Sequence, residues 1–229
     1  MAFRSRSLRL TTVTAGVLLL GSTVTAQAAT RPAAAPAIAG TWAGYAAHTG
    51  TYTSVTASWA EPAATCSSSA VASSAEFWVG LDGYSDSTVE QVGTEVDCFN
   101  GVASQAAWYD LYPAAAVDVA GPVSAGDMMT ATVTATTGDA FTLTLSNVTD
   151  GWTFSTTKVV SGAARSSAEV ILEAPATAPA NAGTVSFSNI RINGSPLTAS
   201  DPTGINIGTG TGPHCGLLAG SGASFTCTW

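Results

Sequence analysis

Basic residues are scarce in this chain: seven lysines and arginines stand against fifteen aspartates and glutamates in 229 residues. Three of the seven, Arg4, Arg6 and Arg9, precede the apolar run AGVLLLG and the triplet AQA at 26–28, a pattern that predicts a secretory signal peptide over residues 1–28. Cleavage there leaves 201 residues in which four cations, Arg31, Lys158, Arg165 and Arg191, face all fifteen acids, a formal charge of −11. Such a chain is a poor partner for nucleic acid. It also has few positive charges to repel one another once its carboxylates protonate, which suits an acidic medium. No later run of about 18 apolar residues occurs, so no spanning helix and no membrane role is expected.

Histidine is scarcer still. His48, in YAAHTGTY, and His214, in GPHCG, both fall in loop-like stretches, and no GxSxG elbow is present, so acyl-enzyme chemistry lacks its parts. With no CxxC pair, neither a metal site nor any cofactor is expected. The four cysteines, Cys66, Cys98, Cys215 and Cys227, lie in the secreted portion and predict two disulfides. Three pairings are open; the local loops favour Cys66 with Cys98 and Cys215 with Cys227.

Helical periodicity is missing as well. The chain instead alternates strand-like runs with Gly, Pro, Asn, Asp and Ser: TSVTASWAEP, AEFWVGLDG, TVEQVGTEVD, QAAWYDLYP, MMTATVTATTGD, FTLTLSNVTDG, SAEVILEAP and GTVSFSNIRING. That rhythm predicts an all-β, antiparallel β-sandwich. A hairpin is expected to close near Gly138. After an Ala/Pro leader over 29–39, residues 40–229 form one domain.

Four of the runs read the same way face by face, because side chains alternate along a strand. Trp78, Gly80 and Asp82 share one face of the first. Gln91, Gly93 and Glu95 share one face of VEQVGTEVDC, against Val92, Thr94, Val96 and Cys98 on the other. Trp108, Asp110 and Tyr112 share a face of the third, and Glu169, Ile171 and Glu173 a face of the fourth. Ordinary solvent faces favour Thr, Lys and Ser over Trp, so four acidic, aromatic faces in one chain suggest a substrate groove.

With nucleophile chemistry disfavoured, a carboxylate acting on water is the reaction these residues allow, serving first as base and then as acid to a leaving amine. Its oxyanion needs a donor, and a side-chain amide donates at any pH. WVGLDG, then EQVGTEVD, AWYDLYP, the Gly126-Asp127 pair and SSAEVILE resemble, in order and spacing, the glutamic peptidases or eqolisins. The resemblance runs from about Trp42 to Ser188. It implies two packed, bent sheets with a substrate groove on the concave face, and a secreted, pepstatin-insensitive acid endopeptidase that works on protein or peptide substrates as a monomer. It further implies Gln91 and Glu173 as catalytic residues, with Trp78, Asp82, Glu95, Trp108, Asp110, Tyr112 and Glu169 supporting or binding substrate. Glu95 stands where the family's usual residue is Asp, Asp110 where it is Glu, and Leu111 where an aromatic is common. The rival reading is a carbohydrate-active or peptide-binding β-sandwich without peptidase activity.

Overall fold

The computed structural model describes residues 41–68, 71–174, 179–206 and 212–229. The expected signal peptide and the leader lie outside the described residues. Two antiparallel sheets account for most of the described residues. The seven-stranded sheet runs in the order β13 (Thr203–Ile205), β1 (Trp42–Ala47), β10 (Ala168–Glu173), β3 (Ser73–Leu81), β4 (Val89–Phe99), β5 (Val102–Tyr112), β6 (Val117–Val119). The second sheet runs β14 (His214–Cys215), β15 (Phe225–Thr228), β11 (Thr184–Ile192), β2 (Ser54–Ala60), β7 (Met128–Ala135), β8 (Ala140–Asn147), β9 (Trp152–Val159). The two-residue β12 (Ser195–Pro196) pairs with β11.

Between the sheets lies the main core. Phe77, Val79 and Leu81 from β3, Val92 and Val96 from β4, and Val170 and Leu172 from β10 meet Trp59, Met129, Val133, Leu143, Leu145 and Phe187 from the second sheet. These are the alternate residues of each strand, so the predicted packing faces are the faces that pack. Burial of this many large apolar side chains is the dominant stabilising term, each worth roughly 1.5–3 kcal/mol. The hairpin β7–β8 turns at Gly138, whose φ of +67° suits glycine. Cys66 pairs with Cys98 and Cys215 with Cys227.

Several elements carried weak sequence signals. β1 is buried along its whole length and so lacks alternation. β9 is a largely exposed edge strand, polar at most positions. His214 belongs to a short strand and not to a loop; the hydrogen-bonded pairing with β15 is fixed by the disulfide neighbour Cys215. Asp82 departs from the expected strand face: β3 ends at Leu81, and Asp82 sits beyond it with φ of +65°.

Asn147 in NVT and Asn193 in NGS match the formal Asn-x-Ser/Thr glycosylation pattern, and both side chains are occupied by turn chemistry. Asn147 is buried, donating from Nδ2 to Asp127 Oδ2 at 2.8 Å and accepting the Asp150 amide at 2.9 Å. Asn193 Oδ1 accepts the Thr53 amide at 2.7 Å.

Replacing both Cys66 and Cys98 by alanine opens a loop with sequence separation 32. The expected cost is about 3–4 kcal/mol of unfolding free energy, against about 3 for the Cys215–Cys227 pair, read from urea unfolding at fixed acid pH. Equal midpoints for wild type and the Cys66/Cys98 variant would contradict this.

Candidate active site

The outer face of the seven-stranded sheet carries residues of the opposite parity to the core, and strand register arranges them in three rows. The first row reads Trp42, Glu173, Glu76, Glu95, Ala106 across β1, β10, β3, β4 and β5. The second reads Gly44, Ile171, Trp78, Gly93, Trp108. The third reads Ala46, Glu169, Gly80, Gln91, Asp110. Gln91 and Glu173 therefore share a face, two strands and two rows apart, with the Trp78 row between them.

Trp78 links those rows. Its Nε1 donates to Glu173 Oε2 at 3.2 Å. The far edge of the ring reaches over Gly80, where an added Cβ would come within 2.9 Å of Trp78 Cζ3 and 3.4 Å of Gln91 Cβ. Gly93 makes the complementary space on β4: a Cβ there would meet Phe77 O at 2.2 Å and Trp78 Cβ at 2.6 Å. Both glycines serve close approach, and the sequence pattern Trp-x-Gly with Gln-x-Gly reflects it. Trp42 meets Trp78 edge-on, with ring centroids 4.8 Å apart and planes at 78°. With Trp108, Ile171, Ala46 and Ile205 they form a second apolar cluster on this face.

Glu173 is half-buried as a residue, but its carboxyl group is enclosed. Besides Trp78, Thr41 Oγ1 donates to its Oε1 at 3.4 Å. Burial pushes its carboxyl up to about 8, Glu76 on the next strand pushes the same way, and the donors Trp78, Thr41 and Trp42 oppose them. Gln91 is 3% exposed and donates from Nε2 to Asp110 Oδ2 at 3.2 Å. The Gln91 Oε1 accepts no hydrogen bond from the described residues. Of the supporting residues expected from sequence, Glu95, Trp108, Asp110 and Glu169 take places in these rows, and Tyr112 follows on β5 opposite Val89.

Asp82 does something else. Its carboxylate accepts the amides of Arg165 and Ser166 at 2.8 and 2.7 Å, closing the chain just before β10. Around it gather Asp86, Glu90 and Glu169, whose charges act on one another. Glu90 and Glu169 are 0% exposed; burial first, then the neighbouring acids, pushes Glu90 up to about 9 and Glu169 well above the usual carboxylate range. Glu61, inside the sandwich, accepts from Thr94 Oγ1 and from Trp59 Nε1, and burial pushes it up to about 8.

Four of these acids escaped the sequence reading, Asp86 among them because it lies in the irregular segment after β3. Glu76 shares the parity of Trp78, so alternation read two residues further back would have found it. Glu90 falls on the apolar face of VEQVGTEVDC, where a carboxylate is not expected. Glu61 lies just past the end of β2, beyond the reach of alternation. Among the described residues no group of three or more His, Cys, Asp or Glu side chains is placed to hold a metal ion.

A two-sheet β-sandwich whose outer face gathers glutamates, one glutamine and indoles defines the class. The model of the Peptidase A4 family matches residues 40–229, and the chain belongs to that family. It is 32% identical to aspergillopepsin-2 of Aspergillus niger over 145 residues, covering 58% of this chain and 51% of the relative; the match thus spans about half the relative's length. Among solved structures, aspergilloglutamic peptidase from Aspergillus niger superposes with a TM-score of 0.59 at 29% identity, covering 68% of this chain and 98% of that one. Scytalido-glutamic peptidase, solved with a transition state analogue inhibitor, shares the fold at a TM-score of 0.70 and 23% identity, over 82% of this chain and 98% of that one.

Two outcomes are expected from this geometry. Gly93→Ala forces a methyl into a backbone carbonyl and should cost about 2–3 kcal/mol or more, measured by urea unfolding with tryptophan fluorescence; an unchanged midpoint would refute the seating of Trp78. The second concerns pH. Glu61, Glu90 and Glu169 have folded-state pKa values above the ordinary 4.5, so the unfolded chain gives up its protons first. Their contribution to stability is complete below about pH 4 and is lost as pH rises, toward 8–9 for Glu61 and Glu90, and the melting temperature should fall by about 5 °C or more between pH 4 and pH 8. Glu61→Gln should flatten that slope in calorimetry; a Tm that rises with pH would contradict it.

Proposed function

We propose that the protein is a secreted acid endopeptidase of the glutamic type, cleaving peptide bonds with water activated by Glu173 and an oxyanion held by Gln91. One observation carries the reading: Gln91 and Glu173 lie on one face, on either side of the Trp78 indole, each oriented by its own hydrogen bond. Membership of the Peptidase A4 family supports it, as do two disulfides, which suit an oxidising compartment.

The chemistry follows from the groups. Glu173 accepts a proton from water as the oxygen attacks the carbonyl carbon, and returns it to the amine as the C–N bond breaks. The Gln91 amide has two N–H donors and gives one to Asp110, which leaves the second for the developing oxyanion. Its Oε1 faces no protein donor and can accept from the attacking water. Asp110 and Trp78 hold the two groups in orientation. Trp42 and Trp108 are nearly closed to solvent and pack around Trp78 to hold it in place, and no cofactor enters. Pepstatin insensitivity follows because no paired aspartates carry the reaction.

A casein digest across pH 2 to 7 with pepstatin present tests this directly. Cleavage in acid is expected to persist in wild type, to disappear in Glu173→Gln, and to fall by about a hundredfold or more in Gln91→Ala. Retained cleavage by Glu173→Gln would end the mechanism, and no cleavage by folded wild type would leave a peptide- or glycan-binding face instead.

A further inference from the structure

A lone buried glutamate poses a problem for this reaction. A carboxyl that burial keeps protonated throughout the acid range is far too weak a base to take a proton from water, and Glu173 is such a group unless a neighbour changes its titration. Glu76 is that neighbour. It stands directly opposite Glu173 in the β3–β10 ladder, and Cβ atoms of opposed antiparallel residues are about 4.5–5.5 Å apart. Glu76 is nearly fully buried and its side chain points to the same outer face.

We propose that Glu76 and Glu173 form a dyad that holds a single proton through the acid range, with Glu76 as a positioning residue acting through Glu173. The inference rests on the catalytic role proposed for Glu173. Two adjacent carboxyls titrate as a pair: the first proton leaves easily because the remaining one bridges both groups, and the second leaves late because it creates two adjoining charges. Between those steps the pair always contains one carboxylate.

The surroundings decide where that carboxylate sits. Thr41 and Trp78 both donate to Glu173, and Trp42 adds to them. Donors favour the ionised form, so Glu173 carries the charge and Glu76 the proton. On the other side of Glu76, β4 places Glu95 directly opposite, a third carboxyl in the same row. Beyond Glu95 the row ends at Ala106. Among the described residues the Lys and Arg side chains lie elsewhere: Arg165 reaches the carbonyls of Thr136 and Gly138, Arg191 that of Gly194, and Lys158 lies on the edge strand β9. In the cycle the Glu173 carboxylate takes the proton of water, the pair becomes doubly protonated, and delivery of that proton to the leaving amine restores the singly protonated dyad. Water and peptide are consumed, acid and amine are formed, and no other reactant is required.

The test is a carboxyl titration by NMR between pH 2 and 9 on protein labelled with ¹³C at the glutamate side-chain carboxyls, in wild type, Glu76→Gln, Glu76→Asp and Glu173→Gln. In wild type the Glu76 and Glu173 signals should follow the same two steps. In Glu76→Gln the Glu173 signal should collapse to one intermediate step, its upper midpoint lowered by about 1 pH unit or more, and Glu76→Asp should restore two. Glu173→Gln should simplify Glu76 in the same way, which keeps the test intact should Glu76→Gln fail to fold. In casein hydrolysis the acid limb of kcat/KM should move up by about 1 unit in Glu76→Gln, a loss of about tenfold at pH 3. A single Glu173 midpoint, identical with and without Glu76, overturns the dyad even where hydrolysis is found. Paired two-step titration without any hydrolysis keeps the dyad and removes the peptidase reading.

Discussion

Glu173, Glu76 and Glu95 stand side by side on three neighbouring strands, and Glu76 and Glu95 are nearly closed to solvent. Like charges directly opposite one another in a ladder repel, and a carboxylate taken out of water loses hydration that only a partner can replace. The face answers with protons and indoles in place of cations. Trp78 and Thr41 donate to Glu173, Trp42 packs edge-on to Trp78, and the high titration of Glu173 expresses the rest of the cost. Much of the face follows from this row. An indole must bridge from Glu173 toward Gln91, so glycine is required at 80 and 93 to let it lie flat on the sheet.

The same accommodation is repeated away from that row. Glu169 and Glu90 are fully buried beside Asp82, and Glu61 is buried between Trp59 and Thr94. A fold that encloses so many acids, in a chain with so few cations, is built for conditions in which carboxyl groups are neutral. Acid pH then serves the structure and the proposed chemistry by one mechanism: it removes the buried charges that would destabilise the sandwich, and it fills the carboxyl pair to the state in which one proton is held and one carboxylate remains. At Asp82 burial again pulls the carboxyl upward, and the two backbone amides that point at its oxygens oppose that pull without reversing it.

The strand alternation made the fold and much of the site legible. Trp78, Gln91, Trp108, Asp110, Glu169 and Glu173 were assignable to one face because a period of two leaves no other choice once the opposite residues are apolar. Where alternation fails, so did the reading. β1 is buried on both sides and shows no pattern, Asp82 leaves the strand in a left-handed conformation, and Glu90 occupies a buried apolar-face position where burial and the charges of Asp82 and Asp86 push its carboxyl toward the neutral form.

By itself, then, the sequence determined the β-class, the disulfide content and the shared face of Trp78, Gln91, Trp108, Asp110, Glu169 and Glu173, since all of these follow from residue type and local spacing. It could not determine which residues stand opposite one another, because register between strands distant in the chain is decided by core packing and hydrogen bonding across the whole sheet. Glu173 and Glu76 are 97 positions apart, and only the β3–β10 ladder brings them together. That juxtaposition, which turns a buried glutamate into half of a carboxyl pair, belongs to the tertiary structure alone.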